Sequence, residues 1–344
     1  ACLVGSEMCI RDRWGIDTLP NVKENNKDYT NYTRGDGGVL DSWISLGAAG
    51  YRLDVADELP DEFLDNLNKC VKKHGEEKII IGEVWEDASN KESYGVKRRY
   101  LLGDQLDSVM NYPFRTAIMN YVLGGSPFDF KNSIMTILEN YPKPSVDVLM
   151  NSISTHDIER AINILGGESC EGKSKDWMCS HWLTNEEFEL GRNRLKCAMA
   201  LQYFLPGVPC IYYGDEAGQQ GYKDPFNRRC YPWGKEDTQL IEYTKLLAKV
   251  RNSSKVFADG ALKFLYIDDN VISFARMKTH RQRAVIIFIN RSPYEQIIDK
   301  SKMELKNCSY YRTIHGDIVY GERIILPPYS FAAYKVEIPL DEEK

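Results

Sequence analysis

From Trp14 to about Ser253, short apolar runs alternate with amphipathic stretches of helical period. That rhythm constrains the fold more than any other feature, because it is the mark of βα units built around a parallel sheet. Five runs read as strands, at residues 50–55, 79–84, 106–112, 146–152 and 209–214. A parallel strand covered on both faces is nearly continuous in apolar residues, and Lys78-Ile79-Ile80-Ile81-Gly82 fits that requirement. Between the runs lie helices with recognisable ends. One opens at Pro60-Asp61-Glu62 and runs to about His74, with Leu64, Leu67 and Val71 at helical spacing. Another starts at a Thr184/Glu187 capping box and continues to Leu205, where Pro206-Gly207 stops it.

After about Asn252 the period changes. Residues 271–277, 284–290 and 330–336 alternate every second residue without intervening helices, which predicts a small antiparallel β-sandwich. The expected organisation is therefore an α/β domain built on a parallel sheet over 14–253 and an all-β domain over 254–344. Residues 1–13 resemble a translated sequencing adapter and are expected to be a leader foreign to the protein.

Charge and cysteine content narrow the function classes. The net charge of −6 and the scattered basic residues leave no positive field to gather phosphates, so neither nucleic acid nor an anionic membrane is an expected partner. No apolar run reaches the roughly 20 residues that span a bilayer. The nine cysteines form no CxxC pair and no zinc-type cluster with histidine, and an odd count argues against a disulfide scaffold. Reduced thiols and a cytoplasmic location follow as expectations.

Three segments carry chemistry. In Gly50-Tyr51-Arg52-Leu53-Asp54-Val55, Arg52 and Asp54 are two apart on a strand and face the same side, so a fixed cation sits beside a carboxylate. Alone, the pair fits a structural ion pair at a strand end equally well. In Ile81-Gly82-Glu83-Val84-Trp85, a carboxyl group closes an apolar strand beside an indole. Partial desolvation would help it hold the proton that a general acid delivers. A structural glutamate ending a buried strand fits that segment too. In Ser154-Thr155-His156-Asp157, two titratable groups follow the fourth apolar run, where strand ends form the active face of a barrel. His156 in isolation also fits a satisfied core histidine. Together, three carboxylates at three strand ends, one beside arginine and one in an apolar setting, are the parts that double-displacement glycoside hydrolysis uses.

The segments GYRLDVADE, IIGEVWEDAS and ISTHDIER resemble, in order and spacing, three signature regions of the α-amylase family, glycoside hydrolase family 13. LDSVMNYPFR, PGVPCIYYGDEAG and DPFNRRCYPWG resemble the neopullulanase, cyclomaltodextrinase and maltogenic amylase group within it. The resemblance implies a (β/α)8 TIM barrel and a retaining mechanism with Asp54 as nucleophile, Glu83 as general acid/base and Asp157 as the third carboxylate, with His156 beside it. It further implies that Asp224 and Arg228 contact sugars on the non-reducing side and that Trp85 and Glu58 lie toward the leaving group; Arg52, whose charge keeps Asp54 ionised, and His156 are expected to join them in binding substrate. The implied substrate is an α-glucan, a maltodextrin, cyclodextrin or pullulan, cleaved at α-1,4 and in some cases α-1,6 bonds. No cofactor and no metal site are expected.

The family's first signature, an Asp-x-x-x-Asn-His strand end, occurs nowhere in the chain, and Trp14-Gly15-Ile16-Asp17-Thr18-Leu19-Pro20 resembles the segment that closes the inserted domain. The five runs then correspond to barrel strands four to eight. A partial barrel of this kind would expose two apolar edges and leave an inactive fragment. By the same resemblance, the intact parent would dimerise through a domain preceding the barrel. An alternative class, a non-catalytic amylase-like interaction or transport-associated protein, usually lacks one of the three carboxylates, and this chain has all three.

Overall fold

The computed structural model describes residues 12–13, 16–278, 281–304, 310–316 and 322–337. Trp14 and most of the leader expected over 1–13 lie outside them. The chain divides into two compact units, one formed by residues 1–83 and 89–107 and the other by 84–88 and 108–344.

The first unit opens with two short antiparallel strands, β1 (Asp12–Arg13) and β2 (Ile16–Pro20), and two helices, α1 (Lys27–Arg34) and α2 (Val39–Ser45). Strand β3 (Gly50–Leu53) then pairs in parallel with β4 (Ile79–Gly82), from Gly50 opposite Ile79 to Leu53 opposite Gly82. A Cβ on Gly50 would lie 1.9 Å from the Ile79 carbonyl oxygen, so only glycine lets the strands approach this closely. Helix α3 (Asp61–Lys72) joins them, burying Phe63, Leu64, Leu67, Cys70 and Val71 on one stripe. Acidic Asp61 and Glu62 sit in its first turn and Lys69 and Lys72 in its last, complementing the helix dipole. Strands β5 (Glu92–Ser93) and β6 (Val96–Lys97) form a tight hairpin. All four β3 residues, and Ile79 and Ile81 of β4, are only half-buried, where the continuous apolar run predicts full burial.

In the second unit, three of the expected strands are shorter than the apolar runs that announced them. They are β7 (Ser108–Val109), β8 (Met150–Asn151) and β9 (Val208–Pro209). Met110 bridges Met150 in parallel, and β8 pairs in parallel with β9. Tyr112 belongs to helix α4 (Tyr112–Val122), because Asn111 caps it by accepting from the Phe114 amide at 3.2 Å and Pro113 pre-sets its first turn. Helix α5 (Pro127–Asn140) follows. Val146 is likewise helical, in α6 (Lys143–Asp147), where Pro144 occupies the first turn. Of the fifth run only Pro209 is in the strand, and the chain turns at Gly214, whose φ is +89°.

Helix α7 (Ala161–Gly166) and a short α8 (Lys175–Ser180) lead to α9 (Asn185–Phe204). The capping box that starts α9 is present: the Glu187 amide donates to Thr184 Oγ1 at 3.2 Å and the Thr184 amide donates to Glu187 Oε2 at 2.8 Å. Helices α10 (Thr238–Asn252) and α11 (Val256–Asp259) precede a five-stranded antiparallel sheet. Its strands are β10 (Ala261–Ile267), β11 (Val271–Lys278), β12 (Arg281–Asn290), β14 (Tyr310–His315) and β16 (Ser330–Glu337), ordered β10-β11-β12-β16-β14. A two-stranded sheet of β13 (Gln296–Asp299) and β15 (Arg323–Leu326) shares its core through Phe288, Ile298, Leu326 and Tyr334. Residues 284–290 of β12 are buried throughout, since one face meets that core and the other meets α9. The six cysteines resolved among the described residues are free thiols. Among those residues no helix is long and apolar enough to cross a membrane.

Candidate active site

In the first unit, Asp54 follows directly on β3 and Glu83 directly on β4, one step past the last ladder pair of Leu53 and Gly82. Parallel register therefore brings the two carboxylates to one sheet end. Arg52 binds both: Nη1 lies 2.7 Å from Asp54 Oδ1 and Nη2 lies 3.1 Å from Glu83 Oε2. Their exposure differs sharply, with the Asp54 side chain 68% and the Glu83 side chain 5% exposed. Val55 has φ +43°, an unfavourable conformation for a β-branched residue, and its amide donates to Glu83 Oε2 at 2.9 Å. Strain in the turn after Asp54 thus supplies an anchor for Glu83.

The surroundings of Glu83 correct the expected apolar setting. It is buried, yet it accepts from the Arg52 guanidinium of the neighbouring strand and from the Val55 amide in the turn after that strand. Glu58, at the end of a single 3-10 turn after Asp54, accepts from the Tyr94 hydroxyl at 2.6 Å.

The second unit holds the remaining expected residues. Asp157 Oδ2 lies 3.2 Å from His156 Nε2, and Asp157 Oδ1 lies 3.7 Å from Arg228 Nη2. Arg228 Nε is 2.6 Å from Asp224 Oδ1 and also donates to the His156 carbonyl at 3.1 Å. These four residues form one connected polar cluster. Trp85 stacks on Tyr112 with centroids 4.1 Å apart and planes at 8°, and remains 45% exposed.

The residues that hold this cluster escaped sequence reasoning. Asn227 Nδ2 donates to the carbonyls of His156 and Ile158, each at 2.8 Å, clamping the loop that carries Asp157. Arg160, fully buried, donates from Nε to the Asn227 carbonyl at 2.9 Å and from Nη1 to Asp215 Oδ1 at 3.1 Å. Its guanidinium also lies 4.1 Å from the Tyr212 ring centroid. Burial pushes the Asp215 carboxyl up to about 6, against the opposing pull of Arg160. The available signal was weak: Arg160 stands directly before the apolar Ala161-Ile162, and Asp215 follows Tyr212-Tyr213-Gly214.

Arg160→Met is expected to cost about 3–5 kcal/mol at pH 8, because it strands a buried carboxylate. With a folded value above the ordinary carboxylate range, Asp215 favours the fold at low pH and loses that contribution as pH rises through about 6. The variant's deficit should therefore shrink at pH 5, where the residue is neutral. Urea unfolding at both pH values measures this, and equal deficits would refute the assignment. Among the described residues, no group of three or more His, Cys, Asp or Glu is placed to hold a metal ion.

The family model for the α-amylase catalytic domain matches residues 13–259. The amylopullulanase of Thermoanaerobacter thermohydrosulfuricus is 32% identical over 88% of this chain and 22% of its own length. The cyclomaltodextrinase of Geobacillus thermopakistaniensis is 30% identical over 87% of this chain and 47% of its own. The chain thus spans less than half the length of these curated relatives. Among solved structures, the cyclic α-maltosyl-(1→6)-maltose hydrolase of Arthrobacter globiformis, in complex with cyclic α-maltosyl-(1→6)-maltose, superposes with a TM-score of 0.76 at 22% identity. That match covers 94% of this chain and 64% of the other. The fold these comparisons show is a TIM barrel with a carboxy-terminal antiparallel sheet domain.

Proposed function

The chain belongs to the α-amylase catalytic-domain family, and from that premise we propose that it carries the reacting groups of a retaining hydrolase of α-linked glucans. Maltodextrins, cyclodextrins and pullulan are the proposed substrates, cut at α-1,4 bonds and in some cases at α-1,6 bonds. Relatives named amylopullulanase and cyclomaltodextrinase support that choice.

One observation carries the reading: a single guanidinium holds an exposed carboxylate, Asp54, and a buried one, Glu83. Two carboxylates in unlike environments suit two different roles. In the proposed first step, Asp54 attacks the anomeric carbon as the Glu83 proton passes to the departing glycosidic oxygen, giving a β-linked glycosyl ester on Asp54. Water then attacks that carbon, Glu83 takes the water's proton, and the ester bond breaks to release a product of α configuration. Asp157, with His156, stabilises the charge that develops on the ring. Asp224 and Arg228 bind the non-reducing side, and Trp85 and Glu58 the leaving-group side.

The observed parallel strands support an assignment to barrel strands four to eight within 14–253, followed by the sheet domain over 254–344. The free thiols suit a reducing compartment. Proton NMR of maltotriose hydrolysis by the native protein tests the stereochemistry. The α anomer should accumulate first and mutarotate later, whereas early β product would exclude a retaining mechanism.

A further inference from the structure

We propose that Tyr94 is a sugar-stacking residue that sets specificity by receiving a glucosyl unit on the leaving-group side of the Asp54 and Glu83 carboxylates. The inference rests on the reading of those two residues, and of Glu58 on the leaving-group side, given above. Tyr94 and Gly95 form the two-residue turn between β5 and β6, and both have positive φ, +53° and +73°. Such turns favour Asn-Gly or Gly-Gly, because a bulky side chain in the left-handed region is strained. Here the strained position carries a tyrosine that is 71% exposed, so little burial offsets the cost. Hairpin formation alone gives no reason for an aromatic ring there.

The ring is also held in place. Its hydroxyl donates to Glu58 Oε1 at 2.6 Å, and Glu58 ends the short turn that begins just after Asp54. Four further contacts tie the hairpin and the residues flanking it to that turn, all converging on Asp57. Ser93 Oγ and Arg98 Nη1 donate to its carbonyl at 3.1 and 3.2 Å, while Lys91 Nζ and the Tyr100 hydroxyl reach its carboxylate at 3.0 and 2.6 Å. An exposed ring locked to the segment that carries the nucleophile is a preorganised platform. Such a ring loses little freedom when the C–H face of a pyranose stacks on it.

The test compares Tyr94→Gly and Tyr94→Phe in the native protein. For each, kcat/KM on maltotetraose is divided by kcat/KM for nitrophenolate release from 4-nitrophenyl α-maltoside, which offers no sugar on the leaving-group side. Tyr94→Gly should lower this ratio about three- to tenfold, and Tyr94→Phe should hold it within about twofold, since the ring remains. The glycine variant should melt no lower than the native protein, because glycine accepts the positive φ without strain. An unchanged ratio in a folded Tyr94→Gly would overturn the inference. A fall in Tyr94→Phe as large as in Tyr94→Gly would also overturn it, placing the effect in the hydroxyl's hold on Glu58. If the native protein cleaved neither substrate, the reading of Asp54 and Glu83 would fail first and take this inference with it.

Discussion

Asp54→Asn should lower turnover of maltodextrins by roughly 10⁴-fold or more, and should do so equally for activated aryl α-glucosides. The amide keeps the shape of the side chain and can still accept from Arg52 Nη1, now 2.7 Å from Oδ1. What it lacks is the carboxylate proposed to form the glycosyl ester. Since that ester precedes every later step, no leaving group, however good, restores the rate. Azide added to Asp54→Ala should give a β-glycosyl azide, because the anion enters from the face the carboxylate vacated. Turnover of Asp54→Asn within tenfold of the native rate would remove Asp54 from the nucleophile's role.

Glu83→Gln should separate the two substrate classes. Natural maltodextrins need a proton on the departing oxygen, so their turnover should fall by about 10²–10⁴-fold. A nitrophenolate departs with little protonation, so ester formation should survive with aryl α-glucosides, and hydrolysis of the ester should become the slow step. Azide needs no general base, so it should accelerate this variant and yield a product of retained α configuration. The expectation rests on the different placement of the two carboxylates, since Glu83 is buried against the Val55 amide and Arg52 while Asp54 stands exposed. Equal loss on both substrate classes without an azide effect would count against Glu83 as acid/base.

Much of the fold was legible because the relevant signals are local. The Thr184/Glu187 capping box acts within one helical turn, and the apolar stripe of α3 follows from helical spacing alone. The two-residue alternation expected of β11, β12 and β16 does not appear in their burial, because residues 271–276 and 284–290 are covered on both faces, which the sequence period does not encode. Strand lengths were overestimated where a local signal was outvoted. Apolar Val146 looks like strand, yet Pro144 in the first turn favours the helix that includes it. Tyr112 was absorbed into a strand although Asn111 and Pro113 form a helix start around it.

At the candidate site, residue types and strand-end positions came from the sequence, since a carboxylate closing an apolar run ends where the sheet ends. Surroundings did not. Glu83 ends an apolar run and so read as sitting in an apolar setting, but the groups that bind it belong to Arg52 on the adjoining strand and to Val55 in the turn that follows it. Their reach depends on the register of β3 against β4 and on the left-handed turn at Val55, neither of which period or composition encodes. The same holds for Arg160 and Asp215, which become a buried pair only when loops distant in sequence close over them. Sequence by itself determined which elements form and which carboxylates stand at their ends, because helix caps and apolar periods act over a few residues. Only the tertiary structure decided which of those carboxylates is exposed, which is buried and which cation each one meets, because burial and ion pairing depend on chain segments that folding alone brings within hydrogen-bond distance.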